Sequence, residues 1–319
     1  MNQVRSSDWP GVTVVIPCYN EQAAIAGVIE EVRRAMDRFP GAYEVLVVDD
    51  ASTDGTAVGL EKMGATVITR KKRGGSGAAR KTGIRAARGD VIAMLDCDGS
   101  YSAADLPRLL EKIPEYDQVI GWRQSEQGTW KVLRFPAKWL IRKLASYLAR
   151  TPIPDLNSGI RVIKKDVLLR YFWAIPDGFS CVSSMTLAFL CNDHPVKWVP
   201  AQYFKRIGRS KFHPIRDTWK YIMTVLMITS YFEPLRIFVP VSLALFLVGS
   251  LKTFNDIFLD LLPDSLYIDL TLLLGSLIVF AIGLLANLIV ISKKSEPGTG
   301  RGAETSSATR SSPDPRRRE

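Results

Sequence analysis

Residues 270–292 form a run of 23 without a single charge, and two lysines follow it directly. A run of this length predicts a helix that crosses a bilayer. An earlier uncharged run, 237–251, is just long enough to do the same when its flank to Thr253 or Phe254 is included. The two runs together predict a transmembrane hairpin over 233–292. A buried hairpin of a soluble protein is the alternative.

The charges around the predicted hairpin indicate its orientation. Basic residues accumulate before the first run, whereas the segment between the runs, 252–269, holds one lysine and four aspartates. Segments rich in Lys and Arg stay on the cytoplasmic side, so both chain ends are predicted to be cytoplasmic. Residues 293–319 are rich in Ser, Pro and Gly without an apolar pattern, which predicts a disordered tail. Residues 1–10 are read as a short tail without a cleaved signal.

The segment from 11 to 100 alternates short β-branched runs with helix-like stretches. Four runs have strand character and two have helical apolar spacing: 12–17, 43–50, 65–70 and 91–95 as strands, 22–39 and 78–88 as helices. This order predicts an α/β fold with a doubly wound, mostly parallel sheet. Ligands of such sheets bind beyond the carboxyl ends of the strands. We assign the catalytic domain to 11–212.

Two basic amphipathic segments, 130–150 and 214–236, place aromatic and aliphatic residues at helical spacing opposite Lys and Arg. Beside membrane spans, such helices are predicted to lie in the bilayer interface. Packing on the protein core is the alternative. We assign 213–232 to an interfacial helix of its own and leave the first segment within the catalytic domain.

The composition limits the partners. A net charge of +10 favours an anionic partner. The basic residues are not interleaved with aromatic residues on one recognition element, so we expect membrane lipids and phosphorylated substrates rather than nucleic acid. Four cysteines without paired spacing indicate reduced thiols, not disulfides or a zinc site. The composition leaves homo-oligomer formation open.

Two aspartates, Asp96 and Asp98, directly follow the predicted strand 91–95. In an extended backbone, residues two apart point to the same side, so both carboxylates would converge. Adjacent like charges repel unless a cation lies between them. Carboxylate oxygens favour Mg²⁺ or Mn²⁺, so the pair predicts a metal site. A single acid at a strand end, by contrast, is often only a turn or a helix cap.

Three further segments end strands or begin helices with chemically useful residues. VIPCYNE (15–21) has side chains suited to a nucleoside pocket, and VVDDASTDGT (47–56) has two acids that suit a base or ribose hydroxyls. The Gly-rich segment 70–90 places glycines at a helix start, where free amides favour an anion. A simple tight turn is the alternative. The Gly-rich segment is not a dinucleotide-binding fingerprint, because Arg80 stands at the position of the last glycine in that motif.

Together, IPCYNE, VVDDASTDGT, GGSGAARKTGI and LDCDGS resemble the inverting, nucleotide-sugar-dependent family 2 glycosyltransferases with a GT-A fold. VIGWRQ (119–124), DLNSGIRVIKKD (155–166), YFKRIGRSKF (203–212) and the paired C-terminal spans are similar to the polyprenyl- or dolichyl-phosphate sugar synthases. The resemblance covers about 11–292. It implies metal-dependent transfer of a sugar, with inversion, from a nucleotide sugar to a polyprenyl phosphate.

The resemblance also implies residue roles. The implied catalytic residues are Asp96, Asp98, Arg123 and Asp155, and the first two bind Mg²⁺ or Mn²⁺ with the donor diphosphate. The implied nucleotide contacts are Pro17, Tyr19, Glu21, Asp49, Asp50 and Cys97. The implied or candidate contacts to phosphate, including the lipid acceptor, are Arg123, Arg134, Lys205, Arg206, Ser210 and Lys211. Asp155 either orients the acceptor, acts as a weak base, or caps the turn before Asn157.

The chain departs from the family pattern in ways that leave alternatives. Lys205 stands where the R-x-x-G-x-S-K segment has arginine and Arg206 follows, so either residue is a candidate phosphate ligand. Residues 178–189 lack an acid that many relatives have, which leaves the donor open; a UDP-sugar such as UDP-glucose is favoured, then GDP-mannose. One alternative is a processive polysaccharide synthase, but the Q-x-x-R-W motif and the additional spans usual in those enzymes are missing here. The other is a non-catalytic membrane scaffold, and the intact D-x-D motif argues against it.

Overall fold

The computed structural model describes residues 11–123, 142–147, 149–178, 180–204, 214–258 and 266–295. These residues form a seven-stranded sheet with the order β3-β2-β1-β4-β6-β5-β7. The strands are β1 (Val12–Cys18), β2 (Tyr43–Asp49), β3 (Thr66–Thr69), β4 (Val91–Met94), β5 (Gln118–Arg123), β6 (Arg161–Lys164) and β7 (Val196–Ala201). Only β6 among them runs antiparallel to its neighbours, β4 and β5. The predicted mostly parallel α/β sheet is confirmed.

Helices cover both faces of the sheet and continue into the C-terminal part of the chain. They are α1 (Gln22–Met36), α2 (Ser76–Ala86), α3 (Leu106–Leu110), α4 (Lys165–Arg170), α5 (Cys181–Leu190), α6 (Pro214–Phe232), α7 (Leu235–Phe258) and α8 (Leu266–Ser295). Residues 142–147 are also helical, and short 3₁₀ turns lie at Leu60–Met63, Ala103–Asp105 and Phe172–Ala174.

The core lies on both sides of the sheet because the central strands β1 and β4 are buried at every position and are apolar except for Thr13. All seven residues of β1 are buried, as expected of a strand covered on both faces. Val14 and Ile16 pack with α1 and α3, whereas Val15 packs with α2 and α5 on the opposite face. In α1 the apolar residues recur every three or four positions, which buries one side of the helix.

The direction of β6 decides which loops meet at one edge. The parallel strands β1, β2, β4 and β5 bring the residues that follow them to their shared carboxyl edge. Because β6 runs the other way, with Arg161 opposite Met94 at the end of β4, the loop that precedes β6 reaches this same edge. Residues 155–160 therefore lie beside the turn that follows β4.

Helix α6 packs on the catalytic domain by one side only. Val225, Ile228 and Phe232 are buried with Ala145 and Leu187 in a third apolar cluster. The helix predicted over 214–236 is thus confirmed for Pro214–Phe232. Of the other amphipathic segment, 130–150, only 142–147 and 149–150 are described, and residues 124–141 lie outside the described part of the chain.

Helices α7 and α8 are long and apolar enough to cross a membrane, and most of their apolar side chains are exposed. The two predicted spans are confirmed as helices, but the segment between them was predicted too long. Lys252 and Asp256 belong to α7, and Asp269 belongs to α8. The Lys252 ammonium lies 2.7 Å from Asp256 and 3.3 Å from Asp269. This pairing offsets the charges and lets both helices continue.

The hairpin is packed closely where α8 has a glycine. A Cβ placed on Gly283 would lie 2.5 Å from the Phe238 Cβ of α7, whereas a Cβ on Gly275 would meet no atom within 4 Å. The two helices approach each other at Gly283 because it has no side chain.

We expect Gly283→Ala to destabilise the hairpin by about 1–3 kcal/mol, because overpacking forces the helices apart. Gly275→Ala, on the same helix, should be neutral. Thermal unfolding of both variants in one detergent measures the difference. Equal melting temperatures for Gly283→Ala and wild type would show that the close contact is not maintained.

Candidate active site

The loops after β1 and β2 are tied together at the carboxyl edge of the sheet. Asn20 and Ala51 both have positive φ angles, 51° and 60°, a conformation that costs energy for residues other than glycine. The Asn20 amide donates to the Ser52 hydroxyl at 2.9 Å, and the Thr53 amide donates to the Asn20 side-chain oxygen at 2.8 Å. These bonds hold the two strained turns side by side.

The residues implied as nucleotide contacts lie around this pair of loops. Pro17 is buried in β1 opposite Val48 of β2. The Tyr19 ring is half-buried, and the Arg73 guanidinium carbon lies 4.0 Å from its centroid. Glu21 precedes α1, and its backbone amide donates to the Thr56 hydroxyl at 3.1 Å. The structure brings these residues to one end of the carboxyl edge.

The two adjacent acids after β2 have different surroundings. Asp49 is buried and accepts two long bonds, both of 3.3 Å, from the Ser52 amide. Asp50 accepts a 2.6 Å bond from Arg70 and bonds of 2.7–3.2 Å from the amides of Gly74 and Gly75. Asp50 therefore anchors the Gly-rich segment to the sheet.

The anion site predicted at the start of α2 is wrong, because other groups of the protein already fill it. Besides the Gly74 and Gly75 amides on Asp50, the amides of Gly77 and Ala78 donate to the Asp177 carbonyl oxygen at 2.9 and 3.1 Å. A helix start binds an anion through amides that lack partners, and these four have them. The tight-turn interpretation holds instead.

The argument that placed Asp96 and Asp98 on an extended strand is also wrong. Strand β4 ends at Met94, and Cys97 and Asp98 lie in a turn. The Asp98 carboxylate is almost buried and accepts a bond from the Ser100 amide at 3.0 Å. Asp96 is more exposed and forms an ion pair with Arg80 of α2. A cation does face Asp96, and it is an arginine of the protein itself.

Arg80 was missed as a site residue because its role depends on tertiary contacts. It is 3% exposed, and its guanidinium contacts Asp96 and the Cys181 sulfur. Arg80 and the buried Ile84 lie four residues apart, on one face of the helix. Helical periodicity alone therefore placed this cation on the buried side of α2, which was a usable signal.

A second arginine, Arg161 at the start of β6, is completely buried without a described carboxylate partner. Its guanidinium donates to the carbonyl oxygens of Val182 and Ser158, both at 2.7 Å, and to the Thr186 hydroxyl at 3.1 Å. Burial, and then the nearby Arg80 cation, lowers the pKa of Arg161 to about 10. It is therefore still charged at neutral pH.

The loop before β6 connects these groups to the other end of the edge. Gly159 lies against the Asp96 carboxylate so closely that a Cβ at this position would overlap it. The Gly159 amide donates to the Tyr101 hydroxyl at 3.0 Å, and the Ser158 hydroxyl donates to the Gly121 carbonyl oxygen of β5. Asp96 is thus held between Arg80 and this loop.

Arg123 and Asp155, two of the implied catalytic residues, form a two-pronged ion pair. Arg123 donates to the two carboxylate oxygens through Nε at 2.7 Å and Nη2 at 2.8 Å, and the Asn157 amide adds a bond of 3.1 Å. Burial acts to raise the pKa of Asp155, but the bonds and charge of Arg123 outweigh it and hold this pKa below its ordinary value. Asp155 is therefore a carboxylate with little basicity.

Two buried thiols, Cys18 and Cys97, lie between the two groups of acids. Burial raises the pKa of the Cys97 thiol well above its ordinary value, and the neighbouring Cys18, Glu21, Asp96 and Asp98 raise it further. Cys97 is thus a neutral thiol, and any nucleotide contact from it is left to its backbone. The remaining predicted phosphate ligands, Arg134, Lys205, Arg206, Ser210 and Lys211, lie outside the described residues.

Known proteins share this fold. A crystal structure of glucosyl-3-phosphoglycerate synthase from Mycobacterium tuberculosis, in complex with Mn²⁺, UDP-glucose and phosphoglyceric acid, matches with a TM-score of 0.56 at 20% identity, over 69% of this chain and 80% of that one. Identity this low shows the fold alone. The fold is that of the GT-A glycosyltransferases.

The family is shown by the sequence itself. Residues 13–172, half of the chain, match the family described as glycosyl transferase family 2, and 233–290 match the one described as GtrB C-terminal hairpin. This chain belongs to glycosyl transferase family 2 and is a glycosyltransferase.

Two of the relatives carry a polyprenyl phosphate in their names. Dodecaprenyl-phosphate galacturonate synthase of Rhizobium johnstonii is 26% identical over 49% of this chain. The match spans 48% of that protein, about half of its length. Dolichyl-phosphate hexose transferase of Haloferax volcanii is 30% identical over 64% of this chain and 87% of that protein.

We expect Gly159→Ala to lower transferase activity by about tenfold or more, because the new methyl group displaces the Asp96 carboxylate from Arg80. Gly27→Ala is the matched control, since a Cβ at Gly27 meets no atom within 4 Å. Initial rates and melting temperatures of both variants provide the test. Wild-type rates for Gly159→Ala would show that the position of Asp96 does not matter.

The pH dependence distinguishes the alternatives for Asp155. Because its pKa is lowered in the folded state, its ion pair with Arg123 persists above the ordinary carboxyl pKa of about 4 and is lost only as the pH falls through the lowered value. We expect Asp155→Asn to reduce turnover by roughly ten- to a hundredfold, as for a lost charged hydrogen bond, without changing the shape of the pH–rate profile between about pH 6 and 8.

The matched control is Asp166→Asn, which removes an exposed acid paired with Arg170 on α4. It should retain wild-type turnover. Loss of a rate inflection in Asp155→Asn alone would identify Asp155 as a general base and contradict its positioning role.

Proposed function

We propose that this glycosyltransferase transfers a sugar, with inversion, from a nucleotide sugar to the phosphate of a polyprenol in a membrane. One observation carries the proposal: the acidic edge of the catalytic domain and a membrane-length hairpin that matches the GtrB C-terminal hairpin belong to one chain. The names of the relatives, a dodecaprenyl-phosphate and a dolichyl-phosphate transferase, support a lipid phosphate acceptor.

The nucleotide is proposed to bind at the loops after β1 and β2. Tyr19 presents a half-buried aromatic ring, and Glu21 and Asp49 are buried acids that both lie near the Cys18 thiol. Between the two adjacent acids, Asp49 is the better candidate for a direct contact, because Asp50 already accepts from Arg70, Gly74 and Gly75. A UDP-sugar such as UDP-glucose is favoured over GDP-mannose. The UDP-glucose complex of the structural neighbour supports this choice.

The carboxylates of Asp96 and Asp98 are suited to a divalent cation whose other ligands come mainly from the bound nucleotide sugar and from water. Among the described residues, no group of three or more His, Cys, Asp or Glu side chains gathers as a complete cage. Two carboxylates are what Mg²⁺ or Mn²⁺ uses when diphosphate oxygens and waters supply the other ligands. A cation held by these aspartates would stabilise the negative charge of the leaving diphosphate. The Mn²⁺ in the structural neighbour supports this assignment.

The acceptor phosphate is proposed to approach from the Arg123 end of the edge. A phosphate is already anionic near neutral pH, so it attacks the anomeric carbon without a strong base, in agreement with the low basicity of Asp155. Asp155 orients the Arg123 guanidinium, and a guanidinium is planar and matches the geometry of phosphate oxygens. Arg134, Lys205, Arg206, Ser210 and Lys211 stay predictions for the same role.

The membrane arrangement follows from the hairpin. Helices α7 and α8 cross the bilayer, both chain ends face the cytoplasm, and α6 lies in the interface with its buried side against the catalytic domain. The tail predicted over 293–319 is wrong for 293–295, which belong to α8; residues 296–319 lie outside the described residues and stay predicted as dispensable for transfer. Assembly into a homo-oligomer is compatible with this arrangement.

A panel of radiolabelled nucleotide sugars, tested on membranes that contain the protein and added polyprenyl phosphate, tests the function. We expect a lipid-extractable, singly glycosylated product from one donor, lost with chelator and restored by Mg²⁺ or Mn²⁺. Asp98→Asn should lower the rate by about a hundredfold or more, because a metal ligand is lost.

The matched control is Asp166→Asn, far from the proposed metal. A polymer instead of a singly glycosylated lipid would indicate a processive synthase. No transfer from any donor would favour a membrane scaffold, and full activity in excess chelator would remove the metal from the reaction.

A further inference from the structure

Helix α6 has an exposed apolar side in addition to its buried one. Trp219, Met223, Met227 and Tyr231 recur every four residues and are all exposed, Trp219 and Met227 by more than 60%. This spacing places them on one side of the helix. They form a stripe about 18 Å long, which we call the α6 stripe. Large exposed apolar surfaces of this kind mark a contact with something other than water.

The catalytic domain extends the α6 stripe with a residue of its own. Trp173 lies in the 3₁₀ turn Phe172–Ala174, between α4 and α5, and is 55% exposed. Its ring centroid is 4.0 Å from that of Tyr231, the last residue of the stripe. Its ring also lies 5.8 Å from that of the buried Phe232, and the rest of the side chain is exposed. The aromatic surface therefore continues from α6 onto the transferase domain.

The position of this surface indicates what covers it. Tyr231 lies only four residues before Leu235, where the membrane-length helix α7 begins, so Trp173 packs on a residue that lies just before the helix proposed to cross the bilayer. Tryptophan and tyrosine prefer the boundary between lipid headgroups and acyl chains. Basic groups lie nearby, since the Arg85 guanidinium is 4.8 Å from the ring of Phe172, which suits anionic headgroups.

We propose that Trp173 is a second membrane contact, on the catalytic domain itself, and that it enters the bilayer interface together with the α6 stripe. The inference rests on the proposed function in that α7 and α8 must cross a membrane. The inference goes beyond the proposed function because the hairpin by itself leaves the catalytic domain free to tilt relative to the bilayer. A contact on the domain sets that tilt and thereby the height of the Arg123 end above the lipid phosphate.

Tryptophan quenching by lipid tests the contact directly. The chain has seven tryptophans, and none of them lies in α7 or α8. The full chain is reconstituted into nanodiscs of phosphatidylcholine and phosphatidylglycerol with bromine on the acyl chains. We expect Trp173→Phe to lower the quenched fraction of the emission, because a quenched fluorophore is removed. Trp198→Phe is the control: its indole nitrogen is buried, so its removal should raise that fraction.

The second measurement is turnover on polyprenyl phosphate in the same nanodiscs. We expect Trp173→Glu to lower it by about three- to tenfold, because a charge replaces an interfacial anchor. Trp173→Tyr should retain wild-type turnover, because tyrosine also suits the bilayer interface. Nucleotide binding should be unchanged in both variants.

Three results would overturn the inference. One is a quenched fraction that rises in Trp173→Phe as it does in Trp198→Phe. Another is wild-type turnover of Trp173→Glu in the bilayer. A third is an oligomer that Trp173→Glu converts to monomers with no change in quenching, which would assign the surface to a second copy of this chain. Failure of the proposed function is distinguishable, because the chain would then not enter nanodiscs, or would enter them without transferring sugar to lipid.

Discussion

The ion pair between Arg80 and Asp96 is the contact on which the acidic edge depends. Arg80 is buried in α2, and a guanidinium that loses its carboxylate in such a place is strongly destabilising, by about 3–5 kcal/mol. The pair connects a helix on one face of the sheet to the turn after β4. It also offsets one of the two adjacent charges before any ligand arrives, so the edge folds without requiring a cation from solution.

The loop of residues 155–159 continues these contacts along the carboxyl edge of the sheet, from Asp96 to Arg123. Gly159 presses on Asp96, Ser158 bonds to β5 and to Arg161, and Asp155 holds Arg123. Five residues therefore connect the end proposed for the donor diphosphate with the end proposed for the acceptor. They reach the edge only because β6 runs antiparallel to its neighbours. One reversed strand in a mostly parallel sheet thus brings the two halves of the site together.

The junction between the catalytic domain and the hairpin likewise depends on few residues. A single helix, α6, buries Val225, Ile228 and Phe232 against the catalytic domain, and the first long apolar helix begins three residues after its end. The domain cannot move far from the hairpin without breaking that cluster. The catalytic domain is therefore joined to the hairpin by packing as well as by the chain, and its tilt toward the bilayer is left to the membrane contact proposed for Trp173.

Local patterns in the sequence determined the class of the fold, the secondary structure of residues 12–95 and the C-terminal helices. Continuous apolar runs predicted β1, β2 and β4, helical spacing predicted α1 and α6, and uncharged length predicted α7 and α8, because these signals depend only on neighbours along the chain. The acids Asp49, Asp50, Asp96 and Asp98 were placed at strand ends for the same reason.

Only the tertiary structure decided which partner each charge has. Arg80 meets Asp96 across 16 positions of sequence and Arg123 meets Asp155 across 32, while the amides at the start of α2, expected to bind an anion, donate to Asp50 and to the Asp177 carbonyl. Sequence spacing cannot report such pairings, because they depend on how the β6 strand and the α2 and α5 helices pack around β4. Burial then makes every unpaired polar group costly, so the groups that packing brings together are the ones that pair.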